Sequence, residues 1–149
     1  MKPVPRLLFL RGFLAVWLLA GAAAAVQAQT AWFTVMGDAS DPTATTIEVD
    51  PIPVAVNGDQ RTMRVRVNRT LQRTTRDGVN FRSFRSHVLF DCSNKTARYI
   101  SVDFYMQPLW KGESHKTVDY PATDLRPMEF REVEPNPRDR IIRAACRTN

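Results

Sequence analysis

The chain has 149 residues, of which 44% are hydrophobic, and its 21 basic and 15 acidic side chains give a formal charge of +6. This composition is typical of one small folded domain, and it excludes both a disordered chain and a protein with many membrane spans. Two cysteines and two histidines leave little room for a zinc site, which uses about four such ligands at characteristic spacings. We therefore expect no metal and no cofactor.

The first 28 residues have the pattern of a secretory signal peptide. Three basic residues precede an uncharged apolar run at residues 12–26, and the small residue Ala28 ends the segment. A membrane anchor is the alternative, but this run of 15 residues is shorter than the roughly 20 that a spanning helix needs. We therefore expect a signal peptide at residues 1–28, a mature domain at 29–149, no membrane span after cleavage, and export to the periplasm or the outer cell surface.

Removal of this segment would leave 121 residues and take away three basic side chains but no acidic one, so the mature charge is +3. That balance is too modest to predict a nucleic-acid partner, above all for an exported protein. In an oxidising compartment Cys92 and Cys146 are expected to form a disulfide. The alternative is a reactive thiol, which would need a nearby histidine or helix N-terminus.

Strand patterns dominate the first half of the mature chain. Residues 32–36 are aromatic and β-branched, which predicts an extended segment. Ile47 and Val49 alternate with acidic residues before a proline, which predicts a short edge strand. After the turn dipeptide Asn57-Gly58, residues 63–67 alternate apolar and polar side chains, the pattern of a strand buried on one face.

The second half begins with a strand predicted at residues 79–90, in which the apolar positions change parity. A β-bulge near Ser83 would explain this change. Residues 99–106 alternate most regularly and predict a further strand, and residues 128–133 predict a brief one. Asn136 and Pro137 then form a capping pattern for a helix over residues 138–146.

Together these patterns predict an α+β fold, a single antiparallel β-sheet meander of about five to six strands with one C-terminal helix. Cys146 lies on the apolar face of the predicted helix. We therefore expect the disulfide to tie this helix to the end of the strand that precedes Cys92.

A series of residues along the mature chain follows a characteristic order. It comprises Trp32, the Ile47-Glu48-Val49-Asp50-Pro51 strand, Arg82-Ser83, Phe90-Asp91-Cys92 with Arg98, Tyr105 with Trp110, and the helix ending in Cys146. In this order the residues resemble the surface-adhesin protein E-like family of small exported bacterial proteins. The resemblance spans nearly all of the mature chain and implies an antiparallel sheet, a C-terminal helix and the disulfide.

The resemblance implies a cell-surface or periplasmic protein without catalysis. In the family's best-known case it is an adhesin that binds host matrix and plasma proteins. The alternative is a periplasmic structural or accessory protein of an envelope assembly, with no host ligand. No binding motif of the family transfers position by position, so the resemblance assigns no binding residue.

A small secreted hydrolase is the third hypothesis. His87 is the only histidine on a predicted strand, and Ser83, Ser86 and Asp91 are its neighbours. Adjacent strand residues point to opposite faces, so Ser86 and His87 cannot pair simply. Because no nucleophile motif such as Gly-x-Ser-x-Gly is present either, we expect no catalytic residue and no enzyme.

One segment is strongly basic. Residues 61–85 carry eight arginines and a single acid, a charge of +7 against −4 for the rest of the mature chain. Beside Arg61, the arginines of this candidate binding surface are Arg64, Arg66, Arg69, Arg73, Arg76, Arg82 and Arg85. If the two strands pair, Arg64 and Arg66 are expected to face Arg82 and to form a cationic surface.

Such a surface would suit the carboxylates, sulfates or phosphates of an acidic partner, because the arginine side chain is a planar fork of donors. The partner would be a host extracellular protein, a sulfated glycan or a lipid headgroup. The alternative is a solvated strand face whose charge is balanced by the acidic remainder of the chain or by a second copy in a homodimer.

Overall fold

The computed structural model describes residues 31–147, and the signal peptide predicted at residues 1–28 lies outside the described residues. The elements in chain order are β1 (Phe33–Met36), β2 (Thr46–Val49), β3 (Ala55–Asn57), β4 (Gln60–Thr74), β5 (Asn80–Asp91), β6 (Thr96–Tyr105), β7 (Lys116–Asp119), β8 (Arg126–Pro127) and α1 (Arg138–Arg147).

All of these strands belong to one antiparallel sheet in the order β1-β2-β4-β5-β6-β7. The short strand β3 pairs with the start of β4, and β8 pairs with the start of β6. Gly58 has a φ of +56° in the turn from β3 to β4, a conformation that glycine adopts readily. The predicted antiparallel meander with a C-terminal helix is confirmed, although the sheet has more strands than expected.

Two strand predictions were wrong in detail. β2 is not an edge strand, because β1 pairs with its other side and all of its residues are buried. The segment 128–133 is not a strand, and the pairing ends at Pro127. Met128, Phe130 and Val133 in this segment are buried in the core, so their apolar character reflects packing and not strand periodicity.

The central hairpin contains the predicted irregularity, but the surplus residues lie in β4 and not in β5. Asn68 pairs with Ser83, whereas Arg73 pairs with Phe81. Residues 69–72 therefore lie opposite the single residue Arg82 and form an enlarged β-bulge with three surplus residues. The change of parity seen in β5 accompanies a bulge in its partner strand.

The core lies between one face of the sheet and α1. Met63 and Val65 of β4 and Ile141 of α1 have 0% exposure, and the helix contacts β1, β2, β4 and β5.

The N-terminal cap of α1 is as predicted, since Asn136 Oδ1 accepts the Arg138 N–H at 3.0 Å.

A disulfide joins the helix to the central hairpin. Cys92, directly after β5, is bonded to Cys146 in the last turn of α1, with Cα atoms 5.7 Å apart. This cross-link confirms the predicted attachment of the helix.

Candidate functional site

The arginines of the central hairpin lie on two different surfaces. The register places Arg66 opposite Arg85 and Arg64 opposite His87. The expected position of Arg82 beside these arginines was wrong, because Arg85 takes the place opposite Arg66 and Arg82, three residues away, lies on the other phase of the strand. Arg82 donates from Nε to the Arg69 carbonyl at 2.6 Å and from Nη2 to the Pro42 carbonyl at 3.0 Å.

The first surface, which we call the open face, is the side of the sheet away from α1. A cross-strand row runs over it because successive strands pair residue by residue: Thr34, Glu48, Arg66, Arg85, Asp103 and Thr117. These side chains alternate with core residues such as Val65 and Val67, so they point away from the helix.

Arg66 is the most enclosed arginine of the row that crosses the open face. Its guanidinium carbon lies 4.3 Å from the centre of the Trp32 ring and 4.2 Å from that of Trp110. Its Nε donates to Oε2 of Glu48 at 2.6 Å, and Glu48 is only 2% exposed. Two aromatic faces and a buried carboxylate therefore fix this guanidinium.

Arg64 repeats this arrangement two residues earlier. Its Nη2 lies 2.8 Å from Oδ2 of Asp50, a carboxylate that is 2% exposed and also accepts the Ile52 N–H at 2.9 Å. Half of the Arg64 side chain remains exposed. It is therefore held in place while its outer edge faces solvent.

Trp110 is held over the open face by a turn with unusual backbone geometry. Leu109 and Trp110 have φ values of 53° and 57°, which non-glycine residues adopt at a cost. The Leu109 N–H donates to Asn68 Oδ1 at 2.9 Å, and the Trp110 N–H donates to Ser83 Oγ at 3.0 Å. The indole Nε1 also donates to the carbonyl oxygens of Val67 and Phe84, at 3.2 and 2.8 Å.

Arg85 differs from its neighbours because it has no ion-pair partner among residues 31–147. Its guanidinium carbon lies 5.6 Å from the centre of the Tyr105 ring, and its side chain is exposed. The nearest cross-strand acid is Asp103, whose Oδ1 instead accepts the Thr117 hydroxyl at 2.6 Å. Arg85 is thus a solvent-facing guanidinium with which no carboxylate between residues 31 and 147 forms an ion pair.

The second surface is a groove on the opposite side of the sheet, which we call the arginine groove. It is a cavity of about 590 Å³ between the strands β4 to β6 and the segment 124–132. Its floor is aromatic, with Phe81, Phe84, Tyr99 and Phe104. Five arginines line it: Arg69, Arg73, Arg76, Arg126 and Arg131.

The charges of the groove are only partly balanced. Arg69 and Arg73 share one carboxylate oxygen, Glu132 Oε2, at 3.6 and 3.2 Å. Arg69 is 8% exposed, and its burial, followed by the nearby charge of Arg73, lowers the pKa of its guanidinium. Arg76 makes no ion pair or hydrogen bond with any residue between 31 and 147.

Tyr99 adds an uncharged polar group to the same groove. It is partly buried against the core, and burial raises the pKa of its phenol above the ordinary value, with Tyr120 raising it further and Arg69 opposing the shift. Its hydroxyl has no hydrogen-bond partner in the described part of the chain. It is therefore a neutral donor close to Arg69.

His87 does not contact the residues considered for catalysis. Its Nδ1 lies 3.1 Å from Ser101 Oγ on β6, Ser83 binds the Gln107 carbonyl and Ser86 binds the Val65 carbonyl. Within residues 31–147 no carboxylate bonds to His87, and no group of three metal-ligating side chains comes together.

The roles of Glu48, Asp50 and the two tryptophans were missed by reasoning from the sequence. A signal was present, since Glu48 and Asp50, in and directly after β2, have the same spacing of two residues as Arg64 and Arg66 in the neighbouring strand β4. Such matched alternation is what an antiparallel pair needs to bring opposite charges together. The stacking of Trp110 had no sequence signal, because it depends on the turn at residues 108–110.

Comparison with known proteins identifies a family for this chain. A family model described as surface-adhesin protein E matches residues 32–147. No curated protein and no solved structure is significantly similar to the chain. Among the described residues, no helix is sufficiently long and apolar to cross a membrane.

Proposed function

Because the chain belongs to the surface-adhesin protein E family, we propose that it is an exported, non-enzymatic protein that binds a protein or an acidic polymer. Export rests on the signal-peptide pattern at residues 1–28. The partner is an extracellular host protein or an acidic chain such as a sulfated glycan, and the docking surface is the open face with its arginines.

The observation that carries the proposal is the state of Arg85. It is exposed and lacks an ion-pair partner within residues 31–147, and it lies directly opposite Arg66 on the neighbouring strand. Arg64, half exposed and fixed by Asp50, lies on the same face. Guanidinium groups that are already ordered lose little side-chain entropy when they bind a carboxylate or sulfate.

A charge reversal at Arg85 tests this surface. Heparin serves as the acidic polymer, and its affinity is measured by calorimetry at low salt for the unchanged protein and for Arg85→Glu. We expect the dissociation constant to rise about tenfold, the effect of losing a charge-assisted hydrogen bond, and the salt dependence of binding to weaken.

The matched control is Arg143→Glu, an exposed position on α1 with the same change in charge. It should bind heparin nearly as well as the unchanged protein. If both variants lose affinity equally, only net charge matters and the open face is not the docking surface. If neither variant loses affinity for heparin, the proposal that Arg85 contributes to binding is wrong.

The second candidate function is that of a periplasmic accessory protein without a host ligand. It is favoured by one feature of the sequence: no cysteine directly follows Ala28, so the usual residue for lipid attachment to a membrane is missing there. Protease treatment of intact cells separates the two functions. A surface adhesin should be cleaved from the cells, whereas a protein confined to the periplasm should survive until the outer membrane is opened.

A further inference from the structure

We propose that the arginine groove is a binding site for an anionic amphiphile, a small molecule with an apolar chain and one carboxylate. This site is separate from the open face, since the groove contains core-facing residues such as Phe84 and Phe104. It is therefore a second activity, and it does not depend on the docking of a macromolecule.

The shape and floor of the groove account for the apolar part of the ligand. Its volume of about 590 Å³ lies within the range of small-molecule sites, roughly 300–1,000 Å³. The rings of Phe81, Phe84 and Phe104 pack against one another at centroid distances of 5.3 to 6.1 Å and form a continuous apolar floor. Leu125, 67% exposed, extends this apolar surface to the lip.

The charged side chains of the groove account for the carboxylate of the ligand. Five arginines line the groove. Within residues 31–147, Arg126 pairs with Asp77 and Asp124 and Arg131 pairs with Glu129, whereas Arg76 has no acid partner. Arg69 and Arg73 share one oxygen of Glu132, whose side chain is 67% exposed. A second carboxylate placed between these guanidinium groups would receive hydrogen bonds that the single oxygen of Glu132 does not use.

The burial of Arg69 is an independent reason to expect a ligand. A buried cation is costly unless it is well paired. The ion pair of Arg69 is long, at 3.6 Å, and two thirds of its partner Glu132 is exposed to solvent. The Tyr99 hydroxyl, close to Arg69, also lacks a hydrogen-bond partner within residues 31–147. A ligand carboxylate would satisfy both groups.

The size of the free space selects an amphiphile over a simple anion. Acetate would reach the arginines but would leave the aromatic floor exposed, whereas a chain of about ten carbons would cover that floor and bury apolar surface. An uncharged alcohol of the same length gains the chain contacts but not the pairing with Arg69 and Arg73.

The test compares decanoate, decanol and acetate with the purified protein, by calorimetry and by amide chemical-shift mapping below the micelle concentration. We expect decanoate to bind at least tenfold more tightly than decanol or acetate. The shifted amides should cluster in the end of β4, the start of β5, the segment 124–132 and Tyr99. Equal affinity for decanoate and decanol would overturn the role of the arginines, and shifts that map elsewhere would overturn the site.

Two exposed arginines allow a variant with little risk to folding. Arg73→Gln combined with Arg76→Gln should weaken decanoate about tenfold and leave decanol unchanged. Arg143→Gln combined with Arg147→Gln on α1 makes the same change in charge and should alter neither ligand.

Other occupants give different results in the same experiments. If a second copy of the chain covers the groove, decanoate will not bind and the Arg73→Gln, Arg76→Gln variant will change the mass measured by light scattering. Binding to anionic phospholipid vesicles without binding to monomeric decanoate would show a membrane surface instead. Either result would contradict the proposal, and neither affects the heparin test of the open face.

Discussion

Arg66 and Glu48 are joined by a 2.6 Å contact between Nε and Oε2 in which the carboxylate is almost fully buried and the guanidinium is stacked between two indole rings. A buried carboxylate is tolerated only when it is paired and hydrogen-bonded. Glu48 lies on a strand that is paired on both sides, so the contact cannot relax by moving the strand. The pair with Glu48 therefore fixes the position of the Arg66 guanidinium on the open face.

Replacing Glu48 by Gln should destabilise the fold. Breaking a buried ion pair costs about 3–5 kcal/mol, and because 19% of the Arg66 side chain reaches solvent, we expect a loss of about 2–3 kcal/mol. Urea denaturation at neutral pH measures it. The matched control is Glu129→Gln, which removes the exposed pair with Arg131 and should cost less than about 1 kcal/mol. Equal losses in the two variants would show that the burial of Glu48 has no special role.

The indole N–H of Trp110 should matter more than the ring of Trp32. Trp110→Phe keeps an aromatic face over Arg66 but removes the donor to the Val67 and Phe84 carbonyls, and a lost buried hydrogen bond costs about 1–3 kcal/mol. Trp32→Phe removes no such bond and weakens only the cation–π contact, worth about 0.5–1 kcal/mol. Thermal unfolding of both variants gives the comparison. A larger loss for Trp32→Phe would contradict the role assigned to the Trp110 N–H.

The architecture followed from local patterns, whereas the site depended on contacts between distant residues. Alternation of apolar residues identified β4, β5 and β6, and the Asn136-Pro137 cap identified α1, because those signals lie within each element. The position of Arg82 was wrong because the register pairs Arg66 with Arg85, and Arg82 lies three residues from Arg85 on the other phase of the strand. The sandwich of Arg66 joins residues 32, 66 and 110, and no spacing along the chain encodes it.

The disulfide should supply a large share of the stability of the helix attachment. Cys92 and Cys146 are separated by 54 positions, and closing a loop of that length stabilises a fold by about 4 kcal/mol on the chain-entropy model. We expect Cys92→Ser combined with Cys146→Ser to lose a comparable amount in urea denaturation. The unchanged protein measured in dithiothreitol is the control and should match the double variant. If it remains at the stability of the oxidised protein, the cross-link contributes nothing.

Asp91 should make stability depend on pH in the acid range. It accepts the backbone N–H and side-chain amide of Asn94 and the hydroxyl of Ser93, each at 2.9 Å, and these bonds, the Asn94 backbone N–H first, lower the pKa of Asp91 to about 2. The lowered pKa means that the folded state favours the ionised carboxylate. Its stabilising effect is present at neutral pH, begins to fade as the pH falls through the ordinary value near 4 and is gone below about 2.

The lowered pKa of Asp91 determines how its contribution to stability is measured. Asp91→Asn cannot titrate, so its free energy of unfolding should fall below that of the unchanged protein at pH 7, and the two should converge below about pH 2. A carbon-detected NMR titration gives the pKa of Asp91 directly, and Asn94→Ala should raise it because one side-chain donor is lost. A difference between the Asp91 variant and the unchanged protein that persists undiminished below pH 2 would show that shape, and not ionisation, is the contribution of this carboxylate.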